Sequence, residues 1–179
     1  MSNNKKQFSN EALSLIEKIK KRYPEGKHKS ALLPVLHLAQ AEFGGWLSAE
    51  AMDTVAAVLN LTPIEVYEVA SFYSMFNLQP VGKCVIEVCR TGPCWLMGAE
   101  DIIGYLEKKL NIRAGETTSD GMFTLKTTEC LAACGNAPML QIGERYHERL
   151  TFDKVDKLVE EYKGRTEPVS HWAKNKIKA

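Results

Sequence analysis

Residues 83–98 read KCVIEVCRTGPCWLMG, and the stretch divides into two parts. The first part, which ends at Cys89, is rich in β-branched and apolar residues, and this favours a buried strand. The second part places glycine and proline between Cys89 and Cys94, and this indicates a loop. Small residues allow backbone N–H groups to turn inward, so such a loop can wrap a metal centre. The stretch therefore predicts a strand followed by a loop that can bind a metal.

A second cysteine pair, Cys130 and Cys134, is separated from Cys94 by 35 residues and follows another β-rich stretch, residues 122–129. If the two stretches are neighbouring strands, their ends bring four thiols together, and thiolate is the ligand form for zinc and for iron. Short spacers occur in structural zinc sites, and an x4 spacer occurs in plant-type [2Fe–2S] ferredoxins. The spacing alone therefore leaves the two metals with similar weight, and four buried cysteines without a metal are the less favoured alternative.

The fifth cysteine, Cys84, lies five residues before Cys89 in the same predicted strand. Side chains alternate between the two faces of a strand, so Cys84 is expected on the face opposite to Cys89. We interpret Cys84 as a small buried hydrophobic residue rather than as a ligand.

The chain lacks the motifs of several other chemistries. It contains no C-x-x-C dithiol, no G-x-G-x-x-G dinucleotide fingerprint and no Walker-type loop. Its four histidines are scattered along the sequence, and none stands in a setting typical of a catalytic base. The sequence therefore predicts neither thiol–disulfide exchange nor NADH binding by this chain itself.

The first 76 residues have helical periodicity throughout. The clearest helix start is Thr62-Pro63-Ile64-Glu65, which combines an N-cap, a proline at the first helical position and a capping-box glutamate. Three earlier helices are predicted to begin at Ser9, Ser30 and Ser48, and to end near Pro24, Gly44 and Leu59. Four short helices with short connections predict a small bundle.

The pattern changes at the turn-rich stretch NLQPVG, residues 77–82. Beyond it, the sequence predicts strands at 83–89 and 122–129, a loop at 90–97, a hairpin of 139–142 with 145–147, and helices at 98–110 and 152–162. This order is typical of a small α/β sandwich. We therefore expect a helical part at 1–80, an α/β domain at 81–165, and a basic tail at 166–179 that carries Lys174, Lys176 and Lys178.

Composition and charge exclude several classes of protein. Apolar residues make up 45% of the chain, charged residues 25%, and the formal net charge is +1. This balance favours neither nucleic-acid binding nor direct membrane insertion. The start, MSNNKKQFSN, lacks the apolar core of a signal peptide, so we expect a reducing, cytoplasmic compartment in which cysteines serve as ligands rather than disulfides.

Two segments carry a resemblance to a known family. VCRTGPCWLMG (residues 88–98) and ECLAACGNAPM (129–139) closely resemble the small [2Fe–2S] subunit of bacterial complex I. This is the E subunit of the NADH dehydrogenase module, which is akin to the mitochondrial flavoprotein 2. GGWL (44–47) and SFYSMF (71–76) resemble the helical part of the same family. The resemblance covers about residues 10–165.

The resemblance implies an α+β fold, with a small N-terminal helical bundle followed by a thioredoxin-like α/β domain. It implies that Cys89, Cys94, Cys130 and Cys134 ligate one [2Fe–2S] cluster, and it favours iron over zinc. It also supports a cis peptide bond before Pro138.

The implied function is electron transfer within NADH:quinone oxidoreductase, at the cytoplasmic face of the inner membrane. The implied partner is a flavoprotein subunit that binds NADH, FMN and a [4Fe–4S] cluster. Two alternatives remain open from the sequence. One is the equivalent diaphorase subunit of an NAD-linked hydrogenase or formate dehydrogenase, and the other is a zinc-stabilised binding module without a redox role.

Overall fold

A computed structural model describes residues 6–169, which divide into two compact units, 6–80 and 81–169. Each unit has a hydrophobic core of its own. None of the helices in this described range is long and apolar enough to cross a membrane. The three lysines of the predicted basic tail, Lys174, Lys176 and Lys178, lie outside the described residues.

The first unit is helical. Its helices are α1 (Asn10–Lys20), α2 (Leu32–Glu42), α3 (Ala49–Leu59) and α4 (Pro63–Phe72), with a 3₁₀ turn at His28–Ala31. Side chains from α1, α2 and α3 meet in a core that includes Ile16, Ile19, Val35, Leu36 and Val55, all without exposed surface. The prediction of a small helical bundle is confirmed.

Side-chain caps explain where three of these helices begin. Ser9 and Ser48 accept hydrogen bonds from backbone N–H groups three residues further on, each at 3.2 Å. Thr62 and Glu65 form the predicted capping box. Each such cap contributes about 1 kcal/mol to helix stability, and all three starts were visible in the sequence.

Two predicted boundaries in this unit are wrong. Helix α1 ends at Lys20 rather than at Pro24, because Arg22 and Tyr23 donate to carbonyls three residues back and form a tighter turn. Ser30 does not start α2, because it lies inside the 3₁₀ turn that precedes Leu32. In both cases the helical periodicity continues across a turn that is not α-helical.

The second unit is built on a four-stranded sheet. Its strands are β1 (Cys84–Cys89), β2 (Phe123–Thr128), β3 (Leu140–Ile142) and β4 (Arg145–His147), in the order β2-β1-β3-β4. Strands β1 and β2 are parallel, and the other neighbours are antiparallel. Helices α5 (Pro93–Leu96), α6 (Ala99–Leu110) and α7 (Phe152–Tyr162) complete the unit. This is the predicted order of strand, helix, strand, hairpin and helix.

One face of the sheet packs against α6 and α7. Along β1, the alternate residues Cys84, Ile86 and Val88 point into this core. Cys84 has no exposed surface, and burial raises the pKa of its thiol to about 12. The prediction that Cys84 is a buried hydrophobic residue on the face opposite to Cys89 is therefore confirmed.

Strands β1 and β2 come very close just before β1 begins, at Gly82. A Cβ atom at this position would lie 2.9 Å from backbone atoms of Met122 and Phe123, so only glycine fits without a shift of the chain. The Gly82 N–H donates to Thr124 Oγ1 at 2.6 Å. This contact sets the register of the parallel pair that ends at the cysteines.

The segment 90–97, predicted as a loop, contains the single helical turn α5. Pro93 stands at its first position, where the fixed φ of proline favours a helix, and the Met97 N–H donates to the Pro93 carbonyl at 3.0 Å. The turn holds Cys94 in its interior. A four-residue helix is too short to produce a periodic pattern, and the sequence therefore did not reveal it.

A candidate [2Fe–2S] centre

Parallel pairing brings the two cysteine segments to the same edge of the sheet. Cys89 is the last residue of β1, and it lies opposite Thr128, the last residue of β2. Cys130 follows two residues after Thr128, and Cys134 begins a 3₁₀ turn that contacts α5, which carries Cys94. The two strands are neighbours, which is the condition under which their ends bring the thiols together, and all four cysteines lie at or beyond the carboxyl ends of these strands.

Cys89 and Cys94 form a buried pair. They are 3% and 1% exposed, and they pack with Ala99, Leu131 and Met139 in a small apolar cluster of their own. Burial and, to a smaller extent, the hydrogen bond with Cys89 together raise the pKa of the Cys94 thiol to about 11. A hydrogen bond from the Met139 N–H to Cys94 acts in the opposite direction.

Cys130 and Cys134 are both exposed. Ala132 lies between them with φ +59°, a left-handed conformation that costs an L residue about 1–2 kcal/mol. In this conformation the Ala132 N–H donates to Cys130 Sγ at 3.3 Å. A small residue thus turns a backbone donor toward a cysteine sulfur, as expected for a loop that wraps a metal centre.

The donor set consists of thiols, which suits iron or zinc and does not suit magnesium or calcium. Within residues 6–169, no three side chains of His, Cys, Asp or Glu converge into a ready chelating group. The buried cysteines contact each other directly, whereas the other two lie on the exposed side of the same edge. A [2Fe–2S] cluster contains two irons and takes four cysteine thiolates in all. The site offers four cysteine thiols, which is the number and the kind of ligand that such a cluster takes.

The structure adds residues to the site that the sequence alone did not indicate. Leu131 and Met139 cover the buried thiols, and Arg90 forms an ion pair with Glu129 across the two cysteine segments. Each of these residues directly adjoins a cysteine or the Ala137–Pro138 bond, which is cis. The opposite charges of Arg90 and Glu129 stand in the sequence next to the first cysteine of each pair, but their contact depends on the register of β1 with β2.

A parallel strand pair that ends in two cysteine-containing loops defines the class of protein as an α/β domain with a thiol-rich candidate metal site. A family model described as thioredoxin-like [2Fe–2S] ferredoxin matches residues 16–163. The chain belongs to this family. The family supports a [2Fe–2S] cluster as the cofactor, and it confirms the fold class and the resemblance stated above.

Two relatives extend this result to nearly the whole chain. The E subunit of NADH-quinone oxidoreductase from Rickettsia felis is 52% identical over 155 residues, which cover 87% of this chain and 93% of that protein. The mitochondrial NADH dehydrogenase [ubiquinone] flavoprotein 2 of Dictyostelium discoideum is 46% identical over 157 residues, or 88% of this chain and 64% of that protein.

A solved structure shares the fold at lower identity. It is the crystal structure of an NAD⁺-reducing [NiFe]-hydrogenase in the air-oxidised state, with a TM-score of 0.66 and 24% sequence identity. The match covers 83% of this chain but only 25% of the hydrogenase chain, so this chain spans about a quarter of its length. At this level of identity, the likeness shows the fold alone.

Proposed function

We propose that this chain is the electron-transfer E subunit of an NADH:quinone oxidoreductase, with one [2Fe–2S] cluster on Cys89, Cys94, Cys130 and Cys134. The observation that carries the proposal is the 52% identity over 87% of the chain to a protein of that name. The position of both cysteine segments at one sheet edge supports the choice of ligands. The chain is thus part of an oxidoreductase, in which it acts as an electron carrier.

When bound, the cluster supplies a group that takes up and releases single electrons. Cys89 and Cys94 would hold the cluster from a site that excludes water, because these two thiols lie in an apolar cluster with Leu131 and Met139. The N–H groups of Met139 and Ala132 point at cysteine sulfurs, and hydrogen bonds to sulfur favour the more negative, reduced state. Cys130 and Cys134 would hold it from the protein surface, where a partner can approach, because both residues are exposed.

The remaining steps of NADH oxidation belong to a partner. As the family resemblance implies, NADH, FMN and a [4Fe–4S] cluster reside on a flavoprotein subunit, with which this chain forms a heterodimer. The absence of a dinucleotide fingerprint from this chain supports the placement of NADH on the partner. Residues 81–165 hold the cluster, and the helical residues 1–80 dock to the partner. The assembled complex places the chain at the cytoplasmic face of the inner membrane without its own insertion into the bilayer.

Co-expression with the flavoprotein subunit tests this division. The isolated chain should neither bind nor oxidise NADH, whereas the heterodimer should reduce ferricyanide with NADH. A truncated chain of residues 81–179 should retain iron and sulfide but should no longer co-purify with the flavoprotein. Tight NADH binding by the isolated chain would contradict the division of labour. Loss of iron from the truncated chain, if it remains folded, would contradict the assignment of the cluster domain.

The second candidate is the diaphorase subunit of an NAD-linked hydrogenase or formate dehydrogenase, and the shared fold with the hydrogenase favours it. Affinity purification of the tagged chain from its native host separates the two candidates. Complex I predicts membrane subunits of a quinone reductase among the co-purified proteins. Recovery of a nickel–iron or a molybdenum subunit instead would favour the diaphorase.

A further inference from the structure

The two cysteine segments are joined outside the sheet by a group of hydrogen bonds. Arg90 directly follows Cys89, and Glu129 directly precedes Cys130. The Arg90 guanidinium donates to Glu129 Oε1 from Nε at 3.0 Å and from Nη2 at 2.6 Å. The Arg90 backbone N–H donates to the Thr128 carbonyl at 3.1 Å, and the Thr91 hydroxyl donates to the Glu129 carbonyl. We name this group the loop tie.

The loop tie contributes little to the stability of the fold. The side chains of Arg90 and Glu129 are 49% and 70% exposed, and exposed ion pairs add little to the free energy of unfolding. The cores of the unit lie elsewhere, under α6 and α7 and around the buried thiols. A stabilising role therefore does not explain why two oppositely charged residues stand next to the first cysteine of each pair.

The position of the tie suits a different role. Cys89 is held by strand β1 and by apolar packing, whereas Cys130 lies beyond the end of β2 and is exposed. Between Cys130 and Cys134, only Leu131 is buried. The loop tie fixes the residue just before Cys130 to the residue just after Cys89. It thereby limits how far the exposed thiols can move from the buried thiols.

Thr91 has a separate part in the tie. The Glu129 carbonyl oxygen lies 3.7 Å from Cys89 Sγ, which donates to it as a thiol. A metal ligand is a thiolate, and a thiolate cannot donate. When Cys89 is a thiolate, the Glu129 carbonyl loses the thiol as a donor and lies near a negatively charged sulfur. The Thr91 hydroxyl still donates a hydrogen bond to this carbonyl.

From this geometry we infer that Arg90, Glu129 and Thr91 are positioning residues, which hold the exposed thiol pair at the distance from the buried pair that the cluster requires. The inference rests on the proposed function, because it assumes the cluster on these four cysteines. It predicts that loss of the tie weakens the hold on iron while the protein stays folded.

The test is the rate of iron release from the anaerobically purified full-length chain to an excess of a ferrous-iron chelator. Arg90→Gln and Glu129→Gln should each release iron about two- to fivefold faster than the wild type, as expected for one exposed ion pair. The double variant should be no faster than the faster single variant, because both lose the same interaction. The charge-reversed variant Arg90→Glu/Glu129→Arg should return close to the wild-type rate, and Thr91→Val should be faster than the wild type.

Two controls isolate the tie. Arg145 and Glu161 form another exposed ion pair in the same unit, so Arg145→Gln should leave iron release unchanged. At about 1 M salt the Debye length is about 3 Å, so the wild type should approach the rate of the single variants. The midpoint of urea unfolding should be nearly the same in all variants, which separates positioning from a merely structural effect.

The outcomes distinguish this inference from the proposed function. If the wild type contains no iron and no sulfide, both are overturned. If the wild type has its full complement but both single variants release iron at the rate of the Arg145→Gln control, the loop tie alone is overturned. The inference is also overturned if the increases in the rate of iron release of the two single variants multiply in the double variant. It is overturned as well if the charge-reversed variant does not return toward the wild-type rate.

Discussion

The two cysteine pairs lie at the same sheet edge in opposite environments. Cys89 and Cys94 are buried in an apolar cluster, whereas Cys130 and Cys134 are exposed. The first pair owes its position to strand β1, to α5 and to packing. The second pair owes its position to a loop with one buried side chain and to hydrogen bonds at the surface. The fold therefore supplies one rigid half of the site, and local contacts supply the other half.

The largest expected effect is the loss of the cluster when a ligand is changed. Cys94→Ser and Cys130→Ser should each bleach or strongly alter the visible spectrum, because an alkoxide is a harder ligand than a thiolate. The affinity for iron should fall by more than the 10–100-fold that is typical when a residue beside a metal ligand is changed. Cys84→Ala is the matched control, and it should keep the spectrum and the iron content.

The environments of the two pairs can be compared directly in the metal-free, folded chain. With iodoacetamide at pH 8, Cys130 and Cys134 should be alkylated first, because they are exposed. Cys94 should react much more slowly, because it is buried, the pKa of its thiol is raised to about 11, and only the thiolate reacts. Peptide mass spectrometry would measure each rate. Equal rates at Cys94 and Cys130 would contradict the contrast between the pairs.

The side chain of Leu131 connects the exposed loop to the buried cysteine pair. Its truncation should have the next largest effect, which is on the free energy of unfolding. It is 9% exposed and packs with Cys89, Cys94 and Met139. Leu131→Ala should lower the free energy of unfolding by about 2–3 kcal/mol, the lower part of the range for buried leucines. Urea unfolding of the metal-free chain would measure it. Leu96→Ala is the control, because Leu96 is 75% exposed and should change stability by less than about 0.5 kcal/mol.

The smallest effect concerns the pH dependence of stability and Cys84, which lies outside the proposed ligand set. Burial raises the pKa of Cys84 to about 12, whereas in the unfolded chain the thiol has its ordinary pKa near 8.5–9. Between these two values the unfolded state loses its proton and the folded state keeps it. The contribution to stability is therefore present below about pH 9 and falls by about 1.4 kcal/mol per pH unit above it.

The difference in urea stability between the wild type and Cys84→Ala at pH 8 and pH 10 measures this effect. Cys84→Ala should lose less stability over this interval than the wild type. The same loss in both proteins would mean that the Cys84 thiol is not buried in the folded chain.

Much of this fold could be predicted where local chemistry decides it. Ser48 and Thr62 cap their helices because their oxygens accept nearby backbone N–H groups. The alternation along β1 placed Cys84 and Cys89 on opposite faces. These features depend on residues within a few positions of each other.

The features that could not be predicted depend on distant contacts. Nothing in either cysteine segment distinguishes the buried pair from the exposed pair, because Met139 buries Cys94 from 45 positions away. The contact of Arg90 with Glu129 depends on the register of β1 with β2, which Gly82 and Thr124 help to set. The turn α5 was missed because it is only four residues long.

The central claim is that the four cysteines hold one [2Fe–2S] cluster. Iron, zinc and acid-labile sulfide should be counted in the anaerobically purified chain, with an EPR spectrum before and after dithionite. We predict two irons and two sulfides per chain, no EPR signal as isolated and a signal after reduction by one electron. Stoichiometric zinc without sulfide would contradict the claim.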